Sequence, residues 1–266
     1  AIVVDIEEHA YVTGETHSSD FPIVNLFQSA PTGSSDAFVA KFNHDGDILL
    51  YSTFLGSSEQ DRGHAIAVDA KGHAYVTERT TMPRAGVFFS TGRGTSQFFT
   101  GHLDPNLSES SKTTARPFID FPLVNPLQGI IGGESDAFIT KVSPTGDSLV
   151  YSSYFGGNDL EEGSGSAVDS AGNAYVIDHT LSASFPEVNT LMDQPSACEM
   201  IEQVQFNTFV IKLDPTGSTL SYSLCLGHGV GRATAVNASG LVVIAGYTCS
   251  PYFSTGKPHT SGIWRG

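Results

Sequence analysis

The sequence predicts an all-β fold made of repeated four-stranded antiparallel units. Three observations predict it: short runs alternate apolar and polar residues, turns rich in Gly, Asp, Asn or Pro separate the runs, and the same blocks return in the same order. Apart from a short stretch around Met192 to Val204, no segment sustains the apolar period of a helix. We therefore expect residues 1–266 to form a single all-β domain.

Four blocks define the repeat. The clearest has the pattern D-A-F-x-x-K, and its copies begin at Asp36, Gln97 (weak), Asp136 and Asn207. A Gly-containing turn, an L-x-Y-S-T-x-L-G-like run, an A-V-D block and an A-Y-V block complete the unit, and the N-terminus enters in the same phase. Four short strands in a recurring unit are typical of a β-propeller, where packing around a ring buries both faces of each small sheet.

The block order DAFxxK, YSTxLGG, IAVDxxGxAYVTG and DFP resembles a bacterial β-propeller repeat, often called the seven-bladed propeller repeat. The resemblance covers nearly the whole chain. It implies that the IAVD strand is innermost, AYVTG second, DAFxxK third and YSTxLGG outermost. It also implies an exported or surface protein of bacteria, and it supplies no catalytic residues.

The spacing of the repeat is irregular. Third-strand blocks are expected near 36, 97, 136 and 207, and the interval that begins at Gln97 lacks copies of two blocks. We therefore expect a degenerate blade and an irregular region over 100–135. The chain then accounts for about four to five blades. A small irregular ring, a fragment, and a homo-oligomer formed through incomplete ring edges all stay open, and the start at Ala1 without Met favours a processed or excised piece.

Charge and cysteine content narrow the classes of partner. With 13 Lys and Arg against 28 Asp and Glu, the net charge of −15 argues against nucleic acid and against anionic membranes. No apolar stretch is long enough for membrane insertion.

Of the three cysteines, Cys198 and Cys249 lie in loop-like segments, so a disulfide between them is one alternative and three unpaired thiols the other.

Several recurring polar positions are expected to be structural. An Asp or Asn precedes each short Gly-containing turn, where its side chain can bond its own backbone: Asp5, Asp69, Asp169 and Asn237. A Lys closes each third-strand block and is expected to face solvent or to pair with a neighbouring blade: Lys41, Lys141 and Lys212. The F-P-x-V-N segments that begin at Phe21, Phe121 and Phe185 are expected to pack as aromatic anchors.

Candidate functional residues fall in the linkers from each outermost strand to the next innermost strand. These linkers and the long loops after the second strands are expected to share one face, and function tends to sit on loops held by a rigid scaffold. The candidates for a ligand-binding face are Glu59, Asp61, Arg62, Asn158, Asp159, Glu161, Glu162, His228 and Arg232. Carboxylates suit Ca²⁺, which gives Glu59, Asp61, Asp159, Glu161 and Glu162 as candidate ligands; solvated acidic loops with no cofactor are the alternative.

These features favour a noncatalytic, exported or cell-surface module that binds a glycan, peptide or protein partner, with or without Ca²⁺. One alternative is a propeller lyase or hydrolase that uses His and carboxylates at the channel mouth; the nine histidines keep catalysis open, although no G-x-S-x-G or H-E-x-x-H motif is present. The other alternative is a structural repeat of a larger surface or filament assembly.

Overall fold

The computed structural model describes residues 1–81, 121–188 and 206–248, together with the backbone of 87–91 and 95–99. Every regular element in these residues is a β-strand, so the all-β prediction is confirmed. In chain order the strands are β1 (Ile2–Val4), β2 (Ala10–Thr16), β3 (Asp36–Phe42), β4 (Leu49–Leu55), β5 (Ala65–Val68), β6 (Ala74–Thr81), β7 (Val87–Thr91), β8 (Thr95–Phe99), β9 (Ser135–Val142), β10 (Leu149–Phe155), β11 (Gly165–Val168), β12 (Ala174–Thr180), β13 (Asn207–Leu213), β14 (Leu220–His228), β15 (Val230–Val236) and β16 (Val242–Tyr247). Within the described residues, no helix has the length and apolar character needed to cross a membrane.

The strands assemble into three four-stranded antiparallel sheets and the first two strands of a further unit. Sheet 1 has the order β1-β2-β3-β4, sheet 2 has β5-β6-β9-β10, and sheet 3 has β11-β12-β13-β14. Strands β15 and β16 pair with each other, as do β7 and β8. The first strands of successive sheets lie next to one another, β1 by β5, β5 by β11, and β11 by β15. The strand order expected from the blocks is confirmed, and the described sheets do not close a ring.

The weak block at Gln97 does not form a third strand of a sheet. It lies in β8, which pairs with β7 in a separate hairpin that begins with Val87 opposite Phe99. The third position of sheet 2 belongs to β9, which pairs with β6 from Ala74 opposite Val142 onwards. The chain between β6 and β9 is therefore an insertion into sheet 2. Of the irregular region expected over 100–135, residues 101–120 lie outside the described residues, as does the stretch around Met192 to Val204.

The hydrophobic core lies between the sheets. Between sheets 1 and 2, buried Tyr11, Tyr51 and Leu55 pack with Ile66 and Val76. A second cluster fills the space between sheets 2 and 3 in the same way, with Tyr75, Ile139, Tyr151, Val176 and Phe209 among its members. Burial of this kind stabilises each sheet only when its neighbour is present, because a single four-stranded sheet leaves both faces in water.

The F-P-x-V-N segments pack as aromatic anchors, as expected. The ring of Phe121 lies 4.7 Å from that of Phe138 and 5.7 Å from that of Tyr154, measured between centroids. Three residues further on, Val124 forms a β-bridge to Ser152 of β10. The same anchor and bridge occur at the outermost strands of sheets 1 and 3. Each segment therefore covers part of the open edge of its sheet, which would otherwise offer unpaired backbone groups.

The recurring Asp is confirmed as a turn residue. Asp69 Oδ1 accepts hydrogen bonds from the amides of Lys71 and His73, and its Oδ2 accepts one from the Tyr75 hydroxyl at 2.9 Å. Burial alone would raise the pKa of Asp69, but the hydrogen bonds from His73 and Tyr75 outweigh it and hold the pKa below its usual value. Gly72 completes the turn with a φ of +81°, which favours glycine.

The Lys of each third strand is not a solvent-facing residue, which corrects one of the two expectations for it. Lys141 is 6% exposed; its Nζ lies 3.9 Å from Asp69 Oδ2 and 4.9 Å from the Tyr75 ring centroid, both within its own sheet. Its Nζ also donates to the carbonyl of Pro215, in a turn of the next sheet. Lys41 and Lys212 are placed alike. The sheet buries this Lys because the Asp carboxylate and the Tyr ring compensate its charge.

Cys225 on β14 is disulfide-bonded. The other two cysteines, Cys198 and Cys249, lie outside the described residues. The alternative that pairs Cys198 with Cys249 leaves Cys225 unpaired, so it disagrees with this bond, as does the alternative with three unpaired thiols.

We predict that Asp69→Ala lowers the free energy of unfolding by about 2–4 kcal/mol, because it leaves two turn amides, one buried hydroxyl and Lys141 without their acceptor. Urea denaturation measures the change. Asp45→Ala is the matched control: Asp45 is exposed in the turn between β3 and β4, so its loss should change stability by less than about 0.5 kcal/mol. Equal effects of the two substitutions would contradict the structural role of Asp69.

Candidate functional site

The linkers between sheets and the loops after the second strands lie at the same end of the molecule. The Ser34 amide donates to the carbonyl of Glu59 at 3.2 Å, and the Asp61 amide donates to the carbonyl of Ser35 at 3.0 Å. The next unit repeats the second contact, from the Glu161 amide to the Ser135 carbonyl at 3.0 Å. We call this end the loop face, and it is the face on which the sequence placed its candidate residues.

Two candidate ligands of Ca²⁺, Asp61 and Glu161, are fully buried beneath the loop face. Asp61 Oδ2 accepts hydrogen bonds from the amide and hydroxyl of Ser57, at 2.6 and 2.8 Å. Glu161 Oε2 accepts the Gly157 amide at 3.0 Å, and its Oε1 accepts the Thr180 hydroxyl. Both side chains are 0% exposed, so these carboxylates hold their own linkers in place.

A second buried carboxylate accompanies each of them at the sheet junction. Asp136 accepts hydrogen bonds from the amides of Gly132 and Gly133. A Cβ added to Gly156 would lie 2.5 Å from Glu161 Oε2 and 2.6 Å from Asp136 Cγ, so only glycine leaves room for the two carboxylates to approach. Asp36 and Asp61 form the equivalent pair at the preceding junction, beside Gly56.

Burial raises the pKa values of these carboxyls. The pKa of Asp61 rises to about 6, that of Asp136 to about 6 and that of Glu161 to about 7, with burial as the largest cause in each. The negative charge of Asp136 raises the pKa of Glu161 further, whereas hydrogen bonds from Thr180 and Gly157 lower it. Burial and pairing therefore move the titration of these carboxyls from the acidic range towards neutral pH, and Glu161 has the highest pKa of the three.

The third junction lacks this pair. Asn207 occupies the position of Asp36 and Asp136, because these three residues lie opposite Thr180, Thr16 and Thr80 near the ends of the second strands. Among the described residues, neither polar atom of its buried side chain has a hydrogen-bond partner. His228 lies opposite Asn207 on β14, and its buried Nδ1 likewise has no partner within the described part of the chain. The linker that follows is Gly229 alone, whereas the earlier linkers are longer and carry acids.

One position on the loop face changes its chemistry from sheet to sheet. It directly precedes a Thr at or just after the end of each second strand, namely Thr16, Thr80, Thr180 and Thr248. The residues there are Glu15, Arg79, His179 and Tyr247, and we call them the variable row.

Two linker residues, Arg62 and Glu162, and Arg232 on β15 contact three members of the variable row. Arg62 Nε lies 2.9 Å from Glu15 Oε2, and Arg79 Nη1 donates to Glu162 Oε1 at 2.6 Å, so the two ion pairs have reversed charges. The guanidinium of Arg232 lies 5.6 Å from the ring centroid of Tyr247, which is 56% exposed.

The structure thus divides the residues that the sequence singled out. Arg62, Glu162 and Arg232 contact the variable row, Asp61 and Glu161 are buried, and His228 lies beside Asn207. Glu59, Asn158 and Asp159 stay in the linkers, where their backbones hold the loops: the Glu59 carbonyl accepts from Ser34, the Asn158 amide donates to Ser182 at 2.6 Å, and the Asp159 carbonyl lies against Gly133.

The five candidate Ca²⁺ ligands do not come together as one group. In the part of the chain that the structure describes, three ligand-bearing side chains approach one another in only two places: Glu162 with Asp178 and His179, and Asp5 with Glu7 and His9. Sequence reasoning missed Asp178, His179 and Tyr247. The available signal was their departure from the repeat, since β12 has Asp-His where β2 has Gly-Glu.

Comparison with known proteins gives little beyond this geometry. No protein-family model matches the chain, and no curated protein matches it. Among solved structures, the chain is similar to "Structure of Dos1 propeller", with 13% sequence identity and a TM-score of 0.29. The match covers 79% of this chain and 49% of that one, so the chain spans about half the length of that structure.

We predict that Glu161 makes stability depend on pH. Its pKa in the folded chain, about 7, lies above the ordinary value of 4.5, so its contribution is fully present below about pH 4.5 and is lost as the pH rises through 7. The unfolding free energy of the original chain should therefore fall between pH 5 and pH 8. In the Glu161→Gln protein this fall should be smaller by about 3 kcal/mol.

Urea denaturation of both proteins at the two pH values measures this difference. Asn158→Ala is the control, because it alters the same linker without changing a carboxyl group and should leave the pH dependence as in the original chain. An identical pH dependence in the Glu161→Gln protein would show that this carboxyl is already ionised in the folded chain.

Proposed function

We propose that the chain is a β-propeller segment of the bacterial repeat kind, and that its loop face is a noncatalytic binding surface for a glycan, peptide or protein partner. The observation that carries the proposal is the variable row. Four sheets place an acid, a base, an imidazole and a phenol at one position, while the adjoining Thr does not change. A repeat that served packing alone would need no such variation, whereas an irregular ligand requires it.

The buried carboxylates support binding over catalysis. Asp61, Asp136 and Glu161 have strongly raised pKa values, which often mark catalytic groups. Each is 0% exposed and accepts amides of its own loop, so a substrate would have to displace structural hydrogen bonds to reach it. Their raised pKa values are explained by their burial beneath the loops that they hold in place.

The chemistry of the exposed groups supports a polar ligand. Arg232 and Tyr247 combine a cation with an exposed aromatic ring, a pair enriched where proteins contact their partners. Arg62 and Glu162 add charges that already have partners on the protein and can exchange them for a ligand. The disulfide at Cys225 supports export, because disulfides persist in oxidising compartments.

A role in assembly is a second candidate, and one contrast favours it. Ile66 of β5 is 7% exposed because sheet 1 covers it, whereas Ile2, at the same position of β1, is 67% exposed. Val4 of β1 is 54% exposed. A further sheet of the same repeat, in a second copy or a larger assembly, would cover this face as sheet 1 covers sheet 2.

Binding of the purified chain to an array of glycans and peptides, with Ca²⁺ and again with EDTA, tests the proposed function. We predict that Arg232→Ala and Tyr247→Ala each lower the affinity for any ligand found by at least about tenfold, because such anchors typically contribute more than 1 kcal/mol to binding. Lys71→Ala is the control, since Lys71 is exposed in the turn between β5 and β6, at the opposite end of the sheet. A ligand bound equally by all three variants contradicts a site on the loop face, and turnover of the ligand contradicts a noncatalytic role.

A further inference from the structure

Three side chains with metal-ligating groups meet at the edge of the loop face, where the linker into sheet 3 reaches β12. Ligand atoms of Glu162, Asp178 and His179 all lie within 4.8 Å of one another. The side chain of Asp178 is 0% exposed, that of His179 8% and that of Glu162 26%. The Glu162 amide donates to the His179 carbonyl, so the backbone of the linker fixes the approach of its side chain to β12.

One acceptor atom of Asp178 is unused by the residues that the structure describes. Its Oδ1 lies 2.7 Å from His179 Nδ1, whereas its buried Oδ2 has no hydrogen-bond partner among those residues. A buried carboxylate is costly unless it is fully paired or binds a metal. The guanidinium of Arg79 donates to Glu162.

Glu162 is held in a way that suits a ligand. Arg79 engages its Oε1 at 2.6 Å, which leaves Oε2 available. Groups that hydrogen-bond a metal ligand from behind orient it and tune its basicity. The partial exposure of Glu162 gives an ion a route from solvent, while the burial of Asp178 shields the inner side of the cluster.

We propose that Glu162, Asp178 and His179 bind a divalent transition-metal ion of the zinc class. One imidazole and two carboxylates form a set that Zn²⁺ accepts, with a fourth position left for water or a ligand. Ca²⁺ takes six to eight oxygen ligands, so an imidazole-containing set of three disfavours it. Two carboxylates and the Arg79 guanidinium leave one net negative charge, which a divalent cation compensates.

This site belongs to one junction only. At the preceding junction the corresponding residues are Arg62 in the linker, and Glu78 and Arg79 on β6, which offer no imidazole and two cations. The proposal therefore predicts one ion per chain in this place. It does not depend on the proposed binding of a glycan or peptide, because the ion and that ligand are measured separately.

The test is calorimetric titration of the EDTA-treated, dialysed chain with Zn²⁺, and in parallel with Ca²⁺. We expect one Zn²⁺ site per chain and no comparable Ca²⁺ site. Asp178→Asn and Glu162→Gln should each weaken Zn²⁺ binding by at least about tenfold, because each removes a charged ligand. The melting temperature of the unaltered chain should rise with added Zn²⁺, and this rise should be lost in both variants.

Glu7→Gln is the matched control, since Glu7 belongs to the other group of three, with Asp5 and His9, and is 73% exposed. Melting curves in EDTA verify that each variant folds. If the substitution of buried Asp178 prevents folding, Glu162→Gln alone tests the loss of Zn²⁺ binding. Absence of a Zn²⁺ site in the unaltered chain overturns the proposal. Binding that only Glu7→Gln weakens, or that no variant weakens, also overturns it.

Discussion

The linkers between sheets pass over a junction where water cannot satisfy their backbone amides, and the fold depends on how those amides are satisfied. A buried amide without an acceptor costs about 1–3 kcal/mol. Asp61 accepts the amide of Ser57, and Glu161 accepts that of Gly157. At these two junctions, the position of one sheet relative to the next follows from these bonds together with the apolar contacts between the sheets, and both support the loop face.

Each four-stranded sheet repeats one set of contacts and varies another, which explains how residues can differ between sheets without loss of the fold. The Asp of each first turn, the Tyr of each second strand and the Lys of each third strand form one buried unit, repeated in three sheets at the end opposite the loop face. At the loop face, the Thr near the end of the second strand is kept, and the residue before it changes. The charge reversal between the pairs Glu15–Arg62 and Arg79–Glu162 shows that these contacts tolerate exchange. Variation therefore occurs at partly exposed ion pairs and also, at the third junction, at the buried position of Asn207.

Strand order was predictable from the sequence, but burial was not. The period-two alternation and the turn residues specify the strands, and the repeat specifies their phase. The prediction of a third strand at Gln97 was wrong, because a short apolar-aromatic run there resembles the third-strand block. Hydrogen bonding assigns this run to a hairpin with β7. Asp61 and Glu161 were expected as exposed ligands, since an acidic linker looks the same whether its side chains point outward or beneath the loop. The proximity of Asp178 and His179 to Glu162 could not be predicted, because it depends on the packing of the linker against β12.

Amide hydrogen exchange at Ser57 and Gly157 tests the central claim most directly, because each amide donates to a buried carboxylate rather than to another strand. The account predicts exchange as slow as that of strand amides in β4 and β10, although both residues lie in loops. Exchange as fast as that of the exposed residues 44–45 in the turn between β3 and β4 would contradict it. Asp61 and Glu161 would then be loosely held acids, and the rigid scaffold beneath the loop face would not exist.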